Sequence, residues 1–100
     1  MAQLHEECGV FGAYNLKGED IANWVYYGLF SLQHRGQESC GIAVSENRDI
    51  RYYKDMGLVS EVFKEDVLSN MKGNLGIGCI SDYEPQPLIV RSHHGTYAIT

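Results

Sequence analysis

The sequence predicts an α+β domain in which an antiparallel sheet is packed on one face by helices. Three observations carry that expectation. Short apolar runs rich in strand formers recur at residues 8–14, 40–44, 50–56, 75–80, 87–92 and 96–100. Two other stretches, 21–33 and 61–71, place apolar residues at three- and four-residue spacing, the period of a helix with one buried face. Between the runs at 40–44 and 50–56 lies a short polar turn, the connection that antiparallel neighbours use.

The elements follow in chain order. CGVFGAY (8–14) reads as a strand, and NLKGED (15–20) supplies the Asn, Gly and Asp of a turn. Asp20 is placed to cap a helix that carries Ile21, Val25, Leu29 and Leu32 on its apolar side and ends near His34-Arg35-Gly36. CGIAV (40–44) is a continuous apolar strand of the kind buried on both faces, SENRD (45–49) is turn chemistry, and IRYYKDM (50–56) returns as its hairpin partner. EVFKEDVLSNM (61–71) predicts a second helix through Val62, Phe63, Val67, Leu68 and Met71, stopped at Lys72-Gly73. LGIGCI (75–80) and PLIVRS (87–92) are strands separated by the polar SDYEPQ, and TYAIT (96–100) reads as a further strand that reaches Thr100 with no terminating signal.

Composition narrows the function. One hundred residues make one modest domain, and 44% hydrophobic with 21% charged residues and 2 prolines is an ordinary globular balance. A net charge of −5 without a basic patch argues against nucleic acid or an anionic membrane as the main partner. The N-terminus MAQLHEE lacks the basic-then-apolar order of a signal peptide and no apolar stretch is long enough to span a bilayer, so a cytoplasmic protein is expected. Three cysteines without CxxC spacing or an export signal point to reduced thiols. His34, His93 and His94 are candidate histidines for a metal site, but adjacent histidines in a strand face opposite ways, and no metal ligand set is expected. GNLGIG (73–78) has the order G-x-x-G-x-G with no Lys-Ser or Lys-Thr pair after it, which is not a phosphate loop. Tyr26-Tyr27 and Tyr52-Tyr53 have no interleaved basic residues and are expected at core edges.

Four stretches taken together resemble one family. EECGVFGAY (6–14), YYGLFSLQHRGQES (26–39), KDMGLVSEVF (54–63) and KGNLGIG (72–78) are similar to the front of the amidophosphoribosyltransferases, in order and at plausible spacing from about residue 6 onward. LQHRGQES is the most specific piece, because related class II amidotransferases such as glucosamine-6-phosphate synthase carry a YRGYDS-like version there. The resemblance implies an Ntn-hydrolase fold, αββα, with two stacked antiparallel sheets between helical layers, incomplete here. It implies residues 1–7 as a propeptide removed after Glu7, and residues 8–100 as the N-terminal part of a class II glutamine amidotransferase domain. Cys8 would be the nucleophile at the first position of the mature chain.

The chemistry explains the placement. A thiol of pKa about 8.5 is only slightly ionised at neutral pH and needs a base, and an α-amino group of pKa about 7.7–8.0 is suitably matched. While Glu7 is attached, that nitrogen is an amide without a usable lone pair. The implied reaction hydrolyses glutamine through a glutamyl thioester and yields ammonia. In a whole family member the ammonia passes to a C-terminal phosphoribosyltransferase domain, which joins it to phosphoribosyl pyrophosphate with magnesium to open purine synthesis. No cofactor is expected in this chain itself, and full-length relatives are expected to be homo-oligomers. Arg35 and Gly36 have a structural account, a cation at the negative end of a helix dipole and a glycine cap. The resemblance adds that their turn borders the active site, making them candidates to support the nucleophile. Glu38 and Ser39 are expected to serve capping or solvation in that turn, and Cys40 and Cys79 to act as small hydrophobes.

Two departures from the family pattern stand out. After GIG the family continues with a His-x-Arg-Tyr-Ser/Thr segment, whose arginine pairs with the glutamine α-carboxylate, and a glycine-rich loop before Gln-Pro. Here the text is CISDYEPQP, shorter and without the arginine, and Cys79 stands where the histidine is sought. The family's His-Asn-Gly-Asn oxyanion segment also lies beyond Thr100. The expectation is an incomplete, internally shortened relative with little glutaminase activity of its own. Two alternatives remain beside it: another class II amidotransferase, and a non-catalytic binding or orphan protein that keeps part of the fold.

Overall fold

A computed structural model describes residues 9–33, 38–82, 84–92 and 95–100. Along them run β1 (Gly9–Tyr14), α1 (Ala22–Leu32), β2 (Ser39–Glu46), β3 (Asp49–Met56), α2 (Val59–Val62), α3 (Glu65–Ser69), β4 (Leu75–Ser81), β5 (Leu88–Ser92) and β6 (Gly95–Ile99). Four strands form an antiparallel sheet in the order β1-β4-β2-β3, and β5 pairs antiparallel with β6 in a second, two-stranded sheet. The α+β expectation holds, and each predicted strand is present.

The core lies between α1 and the large sheet. Val25 and Leu29 are fully buried and Ile21 and Ala22 nearly so, against Cys40, Ile42 and Val44 of β2 and Ile80 of β4. Phe11 and Ala13 of β1 pack at the margin, while Val10, Gly12 and Tyr14 alternate to the exposed side. β2 is buried from Ser39 to Val44 because its second face is covered too. There the chain crosses from β4 to β5: Lys54 Nζ donates to the Pro87 carbonyl at 2.9 Å, and a Cβ on Gly41 would lie 1.8 Å from the Gln86 carbonyl oxygen. Ala98 of β6 faces Ala43 and Ile77 across a gap of about 200 Å³, so the small sheet begins a second layer over the large one.

The β2–β3 hairpin turns on Asn47 and Arg48 alone, both with positive φ (50° and 71°), the signature of a type I′ turn. It is tighter than the SENRD segment suggested.

Two helix readings need correction. Asp20 does not cap α1: the N-cap is Ile21, with no side-chain cap. Instead Asp20 Oδ1 accepts the Gly73 N–H at 2.9 Å while Ile21 N–H donates to the Gly73 carbonyl at 2.8 Å, which ties the helix start to the approach of β4. The stretch 61–71 is two short helices rather than one. Phe63 leaves helical geometry (φ −102°, ψ 87°) to bury its ring edge-on against Tyr53, with centroids 5.9 Å apart, and Lys64 restarts the chain as the N-cap of α3. That aromatic contact with a distant strand outweighs the local helical period.

Two substitutions test these accounts. Arg48→Gly relieves a left-handed residue that carries a Cβ and is expected to stabilise the chain by about 1 kcal/mol, read as a higher urea midpoint at unchanged m-value. Gly41→Ala forces the Gln86–Pro87 crossing off the sheet. It is expected to lower the midpoint and to speed hydrogen exchange at Ala98, whose strand rests on that crossing.

Candidate active site

The sheet end where β1 begins is built from the termini of several elements. The rung Gly9–Ile80–Cys40–Asp55 is followed by one carrying Ser81 of β4, Ser39 of β2 and Met56 of β3. α1 ends against the same place: a Cβ on Gly9 would lie 3.1 Å from Ile80 Cγ1 and 3.5 Å from Leu32 Cβ. The first strand therefore enters between the central strand and the last turn of the helix, with no space to spare.

Hydrogen bonds lock this end. Glu38 N–H donates to the Ser81 carbonyl at 3.0 Å, and the Glu38 carbonyl accepts Gly57 N–H at 2.6 Å. Ser39, fully buried, donates its hydroxyl to the Ser81 carbonyl at 3.1 Å. Gln33, the C-cap of α1, accepts Val59 N–H on Oε1 at 3.2 Å and so joins the end of α1 to the start of α2. Its Nε2 is buried with no hydrogen-bond partner among the described residues.

Sequence reasoning missed most of this cluster. Ser39 is a buried bridge between strands rather than a solvated turn residue, whereas Glu38 is exposed and contributes its backbone. The signal was present: a serine heading an unbroken apolar strand is buried with it and must find an acceptor. Gln33 gave no comparable sign, since its partner Val59 lies 26 residues away.

The predicted site residues Glu7, Cys8, Arg35 and Gly36 lie outside the described residues, as do His34, His93 and His94. Among the described residues no cluster of three metal-ligating side chains occurs. Nor is any helix long and apolar enough to cross a membrane.

The two described cysteines are both buried, as expected of small hydrophobes. Cys40 is a poor nucleophile: burial, with added repulsion from Cys79 and Asp55, pushes its thiol from 9.0 up to about 12, and its Sγ lies 3.6 Å from the Gly57 carbonyl. A cleft of about 560 Å³ between α1 and α3, with Asp20, Tyr26, Tyr27 and Glu65 on its walls, is lined by none of the sheet-end residues. From Leu75, GNLGIG runs into β4, one of the two inner strands of the large sheet, as the strand reading of LGIGCI expects.

Comparison with known proteins finds similar sequences and structures. No family model matches the chain. The chain is 45% identical over 100 residues to the amidophosphoribosyltransferase of Methanocaldococcus jannaschii, a match that takes in 92% of this chain and 21% of the relative. It is 55% identical over 73 residues to that of Mycobacterium tuberculosis, covering 73% of this chain and 14% of the relative. Among solved structures, the glutamine phosphoribosylpyrophosphate amidotransferase of B. subtilis, complexed with ADP and GMP, superposes with a TM-score of 0.75 at 38% identity, over 89% of this chain and 20% of that one. A structure described as the allosteric regulatory enzyme of purine biosynthesis superposes with a TM-score of 0.73 at 36% identity. The chain thus spans 14–21% of the length of these relatives.

The Cys40 thiol carries a pH prediction. Its folded pKa is raised, so above pH 9 the unfolded chain releases a proton that the folded chain keeps. Stability from this group is fully present below that pH and is lost as the pH climbs from 9.0 towards about 12. Urea midpoints measured across that window are expected to fall, and Cys40→Ala to flatten the fall.

Proposed function

We infer that this chain, homologous to the N-terminal part of the amidophosphoribosyltransferases, is the start of a glutamine-hydrolysing domain whose nucleophile is Cys8. The observation that carries the reading is the joint one of 45% identity across most of the chain and a TM-score of 0.75 to a glutamine-dependent amidotransferase. Supporting it locally, β1 begins at Gly9, the residue after Cys8 in the sequence, and Gly9 is held closely by Ile80 and Leu32.

In the proposed chemistry residues 1–7 are removed after Glu7, and the freed α-amine of Cys8 takes the thiol proton. The thiolate attacks the side-chain carbonyl carbon of glutamine, the C–N bond breaks, and the amine passes its proton to the departing nitrogen, which leaves as ammonia. Water then cleaves the thioester to glutamate and the free thiol. Arg35 and Gly36 are proposed to border this site. Transfer of ammonia to phosphoribosyl pyrophosphate, the opening step of purine synthesis, is assigned to a phosphoribosyltransferase portion like that implied for whole relatives, and magnesium belongs to that portion. A cytoplasmic, homo-oligomeric whole protein fits this assignment.

One feature favours weak activity in a polypeptide of these hundred residues. The family's His-x-Arg pattern, started at Cys79, puts its arginine at position 81, where this chain has Ser81. Ser81 is buried, and its carbonyl is already held by Glu38 and Ser39. No cation stands at that position to meet a substrate carboxylate, a contact typically worth about 1.5–3 kcal/mol, or one to two decades in affinity.

Two measurements test the reading. Intact-mass analysis of the purified chain is expected to reveal a mature form beginning at Cys8, and a chain that keeps residues 1–7 after long incubation would favour a non-catalytic protein with the same fold. Ammonia release from glutamine is expected to stay at background with or without Cys8→Ala. Release that the Cys8→Ala change abolishes would show the Ser81 argument to be wrong.

A further inference from the structure

We draw no further inference here: the strongest candidate, the exposed apolar face that Leu88, Val90, Tyr97 and Ile99 form on the β5–β6 hairpin, carries nothing because nothing in the structure shows what covers it.

Discussion

α1 packs directly on the backbone of β4, and the rest of the fold is arranged around that contact. β4 is the strand between β1 and β2, and its face towards the helix carries glycine at 76 and 78. A Cβ at Gly78 would lie 2.7 Å from Val25 Cγ1 and 2.8 Å from Leu29 Cδ1, and one at Gly76 would lie 2.9 Å from Ile21 Cγ2. The helix therefore rests on bare backbone. Its apolar side chains reach past the strand to meet Ile42 and Val44 of β2. Such contact excludes water from the middle of the sheet and permits one helix height and direction.

Fixing α1 fixes both of its ends. At its start, Ile21 and Asp20 are bonded to Gly73 just before β4, so helix and strand share one anchor. At its finish, Leu32 meets Gly9 and Gln33 reaches Val59, which sets the space into which β1 enters. The first residue of β1 takes its position from this packing. The hydrogen bonds of Ser39, Glu38 and Gly57 close the same end from the other side.

Local patterns in the sequence were enough for the strands, for α1 and for its buried face, because each depends on periodicity within one segment. What they could not convey is non-local. The break at Phe63 follows from Tyr53, and the true partner of Asp20 is 53 residues away. Ser39 and Ser81 are bonded across 42 residues. For the candidate site, the proposal of Cys8 as nucleophile rests on resemblance of motifs such as EECGVFGAY and LQHRGQES, whereas Gln33 and the serine bridge became visible only when the chain was folded. The missing arginine could be read directly, since an absent charge at a motif position needs no fold to detect.

The measurement that bears most directly on this account is the stability of Gly78→Val. If α1 lies on bare strand backbone, two added methyl groups and a Cβ must displace Val25 and Leu29, and the urea midpoint is expected to fall by the equivalent of about 1–3 kcal/mol or more. Faster hydrogen exchange should accompany it at both ends of α1, including Val59 N–H, which Gln33 accepts. A variant as stable as the parent, with Val59 equally protected, would contradict the claim that this contact sets the helix and, through it, the entrance of β1.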